Sequence, residues 1–426
     1  MMTSKRFLST ADGIFLENGW FFLGDKYAED FSQACGTYEP DEDHASRWIE
    51  SAYHLDGQCK RRGIPCIFMV GPAKWSIYPE LLREIAPEGR SRPSVHDSIM
   101  NIAKDLELLD LRQVLMNGKK TAHTYSPRDS HWNGYGAYLA WQQMVLRLSL
   151  HCPANALFDP GKILDIHESD DWNEATNLTG IPGENTFYYP EFENSFPDFE
   201  IRSPGGYWRT QPGSALIHVS EIPVDTRCHG STSRLRALIL RDSVGDLLSP
   251  YLVSSFSETY QRTHHVNVEG RPPNISALLR DYAPDVVLFM ITERYLIYPL
   301  LDLEMARACT LFDLRQDRVA HWPAISTAPA LVIDGWDNPK QPVLIRMPPD
   351  RATKTVLKIS MCTNGTGALL VSYTAEGKVR QKYFIYRTGP NDFYLEVNGN
   401  VSGDHIWILD EYNASPTFIT AIALSY

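Results

Sequence analysis

The sequence predicts an α/β domain built on a largely parallel sheet, followed by a smaller all-β domain. Three observations predict this. Apolar runs that end in turn residues recur at IPCIFMVGP (64–72), LRALILRDS (235–243) and APDVVLFMITERYL (283–296), the pattern of strands buried on both faces. Segments with helical spacing lie among them. Beyond residue 330 the pattern changes to short β-type runs divided by Gly, Pro, Asn or Asp, which points to antiparallel strands.

HASRWIESAYHLDGQCKRRG (44–63) has helical spacing and a Gly63 stop signal just ahead of the first buried strand. LELLDLRQVLM (106–116) starts as a short strand and turns into a helix. GAYLAWQQMVLRLSL (136–150) and ISALLRDY (275–282) are further helices. Strands alternating with helices build an α/β core. Residues of about 152–234 break this rhythm, as in DWNEATNLTGIPGENTFYYPEFENSFPDF, rich in Asn, Gly, Pro and aromatics. They read as a loop-rich insertion with a few antiparallel strands, either bordering an active site or forming a structural flap. After WPAISTAPA (322–330) come VLIRM, TVLKISMC, ALLVSYT, KYFIYRT, FYLEV, HIWIL and FITAIALSY. That density of short strands predicts a β-sandwich or jelly roll. The expected domains are residues 1–330 and 331–426.

Hydrophobic residues make up 43%, charged residues 22% and aromatics 11% of the 426 residues, so both domains have enough apolar side chains for cores. The formal net charge is −12, which argues against sequence-independent nucleic-acid binding, since that needs a basic face. Asp12, Glu17 and Asn18 interrupt the N-terminal apolar residues. The expectation is therefore no signal peptide, and no apolar run approaches the ~20 residues of a membrane span. The chain as written reads as cytoplasmic, with a periplasmic location as the alternative if a leader has been removed. The cysteines at 35, 59, 66, 152, 228, 309 and 362 form no CxxC pair, which suits packed, reduced thiols.

Two stretches carry residues for chemistry. In YSPRDSHWNGYGAYLAW (125–141), Asp129 and His131 sit two apart on a loop before a helix. They read as metal ligands, as a base with its orienting carboxylate, or as a helix start in which Ser130 or Asn133 is the cap. Metal ligation lacks a companion His or Asp pattern to complete a shell, so no metal is expected. In LILRDSVGD (238–246) a buried strand runs into Asp242-Ser243. Ligands of open α/β sheets bind beyond the carboxyl ends of strands, and a Ser opening a helix keeps its own N–H for an oxyanion. The alternative is that Asp242 or Ser243 simply caps the next helix. A serine hydroxyl needs a base within hydrogen-bond reach, itself oriented by a third group, so the two stretches complement each other. The pair His264-His265 reads as an exposed segment without a role.

These stretches, DSHWNGYGAYLA and LRDSVGDLLSPYLVSSF, resemble the paired motifs of SGNH-hydrolase-like domains in bacterial polysaccharide O-acetyltransferases, the alginate acetylation proteins among them. GWFFLGD (19–25), VGPAKWSIYPE (70–80) and PDVVLFMITERYL (284–296) are similar to further motifs of that family, in the same order. The resemblance covers about residues 13–300 and implies a flavodoxin-like three-layer fold. It implies Ser243 as nucleophile, His131 as general base and Asp129 as its orienting carboxylate, with Asp and His preceding Ser, unlike ordinary SGNH esterases. Asp242 would shape the nucleophile turn, and Gly71 with the N–H of Ser243 would serve the oxyanion. Lys74, Tyr78, Trp132, Arg241, Glu293 and Arg294 would lie toward substrate; the alternatives are a structural Lys74, an internal Glu293–Arg294 salt bridge and a Tyr78 that packs. Arg241 and Val244 depart from the Gly and Phe usual at those positions.

The reading that follows is an O-acyltransferase modifying a bacterial polysaccharide through an acyl-enzyme. It needs no cofactor, only an acyl donor as co-substrate, which a membrane protein can supply. An esterase with the same residues is the first alternative. A non-catalytic glycan-binding protein is the second, using β-domain aromatics such as Trp336, Tyr373, Tyr386 and Trp407.

Overall fold

The structure, a computed structural model, describes residues 7–40, 44–83, 93–152, 157–170, 173–231, 233–264 and 275–298, together with eight C-terminal strands. Contacts divide the chain into two compact units. The first holds the described residues up to His264 and those from Tyr282 to 298.

That unit opens with a three-stranded antiparallel sheet, β1 (Phe7–Ser9), β2 (Gly13–Leu16) and β3 (Phe21–Leu23). Helices α1 (Asp30–Cys35) and α2 (His44–Lys60) lead to β4 (Cys66–Gly71). Next come α3 (Lys74–Ile77), α4 (Pro79–Leu82), α5 (Val95–Ile102), β5 (Leu108–Asp110), α6 (Arg112–Gly118) and α7 (Gly134–Leu148). The 152–234 segment supplies β6 (Ile163–Ser169), α8 (Glu174–Thr179), β7 (Phe187–Phe192), β8 (Phe199–Arg202), β9 (Arg209–Gln211) and β10 (Val224–Arg227). The unit is completed by β11 (Arg236–Arg241), α9 (Ser249–Ser255), β12 (Glu258–Thr263) and β13 (Val286–Thr292), while α10 (Ile275–Tyr282), ahead of β13 in the chain, is grouped up to Asp281 with the second unit.

The central sheet runs β5-β4-β13-β11-β12-β10-β8-β9. Its first five strands are parallel, and β10, β8 and β9 continue it antiparallel. The insertion therefore extends the sheet's edge as well as forming the separate β6/β7 pair. Counted along the chain, the parallel strands have the order 2-1-5-3-4. Counted cyclically from β11, the order is 2-1-3-4-5, that of flavodoxin-like sheets. The loop of Asp129 and His131, which follows β5, thus precedes the strand that ends at Ser243 in sequence while sitting beyond the same end of the sheet. This accounts for the Asp-His-before-Ser order.

The apolar runs are buried on both faces because helices cover both. Ile239, Leu288, Met290 and Met69 pack with Trp141 and Met144 of α7 and Leu252 of α9. On the opposite face Phe68 lies 6.5 Å from Trp48 of α2 and 5.4 Å from Phe289, ring centre to ring centre. Alternate residues of one strand point to alternate layers, so the domain has three layers, as expected. Among the described residues no helix is long and apolar enough to cross a membrane.

The second unit contains two four-stranded antiparallel sheets. One comprises β14 (Val319–His321), β21 (Thr417–Ser425), β16 (Lys354–Thr363) and β19 (Gly389–Asn398). The other comprises β15 (Val343–Arg346), β20 (Val401–Asp410), β17 (Gly367–Ala375) and β18 (Lys378–Tyr386). Phe384 of one sheet meets Phe393 of the other at 5.0 Å, the contact of a sandwich core. All seven runs read as strands are strands. The expected boundary at 330/331 and Trp336 lie outside the described residues, as does His265.

Candidate active site

The register that pairs Gly71 with Thr292 and Arg241 with Met290 brings the carboxyl ends of β4, β13 and β11 to one edge. At that edge β11 ends and Ser243 opens a 3₁₀ turn, Ser243–Gly245. Asp242 fixes the turn. Its carboxylate accepts the N–H of Val244 at 2.9 Å, the N–H of Thr292 at 2.7 Å and the Thr292 hydroxyl at 3.0 Å. Burial alone would raise its pKa. The His264 imidazole, 3.7 Å away, and the two N–H donors outweigh burial and bring it down to about 2. His264 is buried and stacked on Phe289 at 4.7 Å. The expectation of an exposed His264 is thus corrected: this residue, the first after β12, packs on Phe289 beside Asp242.

The second stretch closes on itself. Tyr125 and Trp132 form an isolated β-bridge. Asn133 caps α7 by accepting the N–H of Gly136 at 2.9 Å, and its amide donates to His123 O at 2.7 Å. With Asn133 as cap, Asp129 and His131 are left for other contacts. Asp129 Oδ1 accepts both the backbone N–H of His131, at 2.8 Å, and its ring Nδ1–H, at 2.9 Å. His131 Nε2 lies 2.8 Å from Ser243 Oγ. Burial alone would lower the imidazole's pKa, but the hydrogen bond to Asp129 and the charges of Glu174 and Asp129 raise it to about 9.

Glu174, at the start of α8, was not foreseen from sequence. It accepts the N–H of Ser130 at 2.6 Å and stands 3.9 Å from His131 Nδ1. Its only local signal is Asn173, which caps α8 through the N–H of Thr176. The separation of 43 positions between His131 and Glu174 hides the contact. Asp129, His131 and Glu174 each bring a possible ligand atom within 4.8 Å of the others. Both imidazole nitrogens already face protein partners, an arrangement suited to relaying a proton rather than caging an ion.

A cavity of about 300 Å³ opens over Ser243 and His131. Trp132, Phe187, Tyr189, Leu216 and Leu247 supply apolar walls, and His218 and Asp246 supply polar ones. A larger cavity of about 520 Å³, beside Trp75 and Arg112, holds no nucleophile with a base. Trp132, expected at the substrate, lines the smaller cavity. Six other residues expected there or at the oxyanion do not.

Lys74 is buried, its ammonium donating to the carbonyls of Phe21 (2.7 Å), Ser126 and Pro127 (3.0 Å each). It ties the N-terminal sheet to the base loop instead of facing solvent. Tyr78 packs on Trp20 at 4.7 Å and accepts the N–H of Thr124 at 3.0 Å. Arg241 is fully buried; it donates to Gln261 at 2.8 Å, to Ile217 O at 2.6 Å and to Asp246 at 2.5 Å. Glu293 turns inward, accepting from the N–H of Ala73 at 2.8 Å and Ser76 Oγ at 2.9 Å. Arg294 is buried, and its backbone carbonyl accepts from Gln33 at 2.9 Å. For Lys74, Tyr78, Arg241 and Glu293 a charged or phenolic group at or after a strand end meets partners from distant segments that local sequence does not reveal. Gly71, read as an oxyanion donor, is absent from the cavity wall. A Cβ there would overlap Val244 Cγ2, so its lack of a side chain makes room for the nucleophile turn.

Chemically, the arrangement can move a proton from Ser243 Oγ to His131 Nε2 while Asp129 holds the ring and the imidazolium that forms. Ser243 begins its turn, so its N–H is one of the orphan donors of a helix start, placed to meet an oxyanion.

Comparison with known proteins agrees with the fold. Residues 15–160 match the family model described as the SGNH hydrolase-like domain of the acetyltransferase AlgX. That span contains Asp129 and His131 and stops short of Ser243. No curated protein matches the chain. Among solved structures, Pseudomonas aeruginosa AlgX is 11% identical with a TM-score of 0.51, covering 98% of this chain and 94% of its own. Bacillus cereus PatB1 with a sulfonyl adduct is 14% identical at 0.46, covering 70% and 99%. The O-acetyltransferase domain of Pseudomonas putida AlgJ is 18% identical at 0.40, covering 67% and 92%. The first unit is thus an α/β unit whose residues 15–160 are similar to the SGNH hydrolase-like domain of the acetyltransferase AlgX.

Proposed function

We propose that the chain is a serine O-acyltransferase that moves an acyl group, with acetyl the best fit to its family match, onto a hydroxyl of a glycan. The observation that carries this reading is the relay of 2.8 Å from Ser243 Oγ to His131 Nε2 and 2.9 Å from Nδ1 to Asp129, at the floor of a cavity. In the first half-reaction Ser243 Oγ bonds to the acyl carbon as His131 takes its proton. The donor's leaving group departs with that proton, leaving an acyl-serine ester. In the second, His131 takes the proton of the acceptor hydroxyl, whose oxygen attacks the ester. Ser243 Oγ leaves and recovers the proton. No cofactor enters either half; the acyl donor is a co-substrate, delivered by a separate protein. The aromatic walls Trp132, Phe187 and Tyr189 support a sugar acceptor, whose C–H faces stack on such rings.

The test is release from an aryl acetate. Ser243→Ala should lower release by at least about a thousandfold; release that survives the substitution overturns the assignment. Adding neutral and acidic oligosaccharides then separates transfer from hydrolysis. Acetylated sugar in the mass spectrum supports the transferase, and free acetate alone identifies an esterase.

A further inference from the structure

We infer that Glu174, carried by the insertion, is a second positioning carboxylate for His131, so that the insertion is part of the proton relay and not merely its border. This rests on the serine-relay reading above.

The geometry makes α8 and the base loop one unit. Ala175 N–H donates to Arg128 O at 2.9 Å. In return the Arg128 guanidinium donates to Asn173 Oδ1 at 3.1 Å, Thr176 Oγ1 at 3.2 Å and Ile181 O at 2.6 Å. The Arg128 N–H is held by Asn185 Oδ1 at 2.9 Å. Below these contacts Ala175 packs without exposure among Phe15, Phe21 and Leu23. The helix start is thereby pinned from both sides, and Glu174 has little freedom. One of its oxygens takes the Ser130 N–H at 2.6 Å; the other stands 3.9 Å from the imidazole. Asp129 Oδ1 already accepts two N–H groups, and Asp129 Oδ2 has no hydrogen-bond partner among the described residues. The negative charge beside the ring is therefore spread over two carboxylates on two elements.

The charged groups acting on His131 are Asp129 from its own loop, Glu174 from α8 and Arg294 from the turn after β13, which opposes them. His218 and Asp246 line the same cavity from the other wall. An anion at 3.9 Å stabilises the imidazolium that forms during both proton transfers. Glu174 therefore holds the loop through Ser130 and favours the charged ring.

Glu174→Gln tests this, because the amide oxygen can keep the Ser130 bond while the charge is lost. The His131 ring is followed by NMR titration with labelled histidine, in the Ser243→Ala background and with the nucleophile present. The ring should titrate about one pH unit lower in the variant, and the rising limb of aryl acetate release should move down with it. Glu174→Asp, which restores the charge one methylene further back, should recover part of the displacement. If E174Q does not fold, E174D carries the test: titration below the wild-type value supports the inference, and an unchanged value overturns it. For E174Q likewise, an unmoved ring titration overturns it. The NMR titration needs no turnover, so its outcome is separate from the outcome for Ser243.

Discussion

Asp129→Asn probes the relay most directly, because its effect should depend on pH. Asp129 Oδ1 already accepts both N–H groups of His131, so the amide oxygen of Asn can keep the ring's orientation and only the charge is lost. The imidazole is held at about 9 against an ordinary 6.5. That difference favours the imidazolium by about 3 kcal/mol, or roughly 300-fold. Asp129 shares it with Glu174, so removing Asp129 should lower kcat/KM for an aryl acetate between tenfold and 300-fold on the alkaline plateau, about pH 10. Near pH 7 the comparison changes. Only about 1% of the wild-type ring is then neutral and able to act as a base, whereas a tenfold or larger share of the variant's is. The deficit should therefore shrink toward neutrality, and the limb should move toward 6.5. A deficit that stays constant from pH 7 to 10 would refute the reasoning. The new Asn amino group takes the buried place of Oδ2, so a stability loss of about 1–3 kcal/mol should accompany the change, checked by thermal melting.

Two further outcomes follow from the nucleophile turn. Gly71→Ala should cost about 1–3 kcal/mol by overpacking against Val244 and should lower acyl release; Val244→Ala in the same chain should restore both, and a neutral Gly71→Ala would contradict the packing. Asp242, with its pKa lowered to about 2 from 3.8, contributes stability that is present above 3.8 and lost as pH falls through 2. In urea unfolding, the gap between wild type and Asp242→Asn should narrow by about 2 kcal/mol between pH 5 and pH 2.

Much of the frame was legible from the order of amino acids. The runs at 64–72, 235–243 and 283–296 needed no tertiary information, because a strand covered on both faces admits almost no polar residue. The pairing of Ser243 with His131, the nucleophile and base proposed above, was legible because such groups must each lie on a loop beyond a strand end. The direction of the neighbouring charges was not. Lys74, Arg241 and Glu293 stand at or just after similar strand ends, but their partners are Phe21 O, Ile217 O and the Ala73 N–H, and nothing in a local pattern distinguishes a side chain that meets substrate from one that satisfies a buried peptide. Glu174 was hidden for the opposite reason. It lies in a stretch that reads as loop, and its role exists only once α8 docks on Arg128.

The place of β13 bears on how this chain comes to life. Last of the sheet's strands to be synthesised, it is third in the order, wedged between β4 and β11. Until residue 292 has left the ribosome, the growing chain holds two half-sheets, each presenting an unpaired apolar edge. The serine turn belongs to one half and the histidine loop to the other. A product stopped before residue 286 thus contains every member of the relay and has no common frame to hold them. Such a product should be inert and prone to self-association, which would make β13 the keystone of the proposed chemistry.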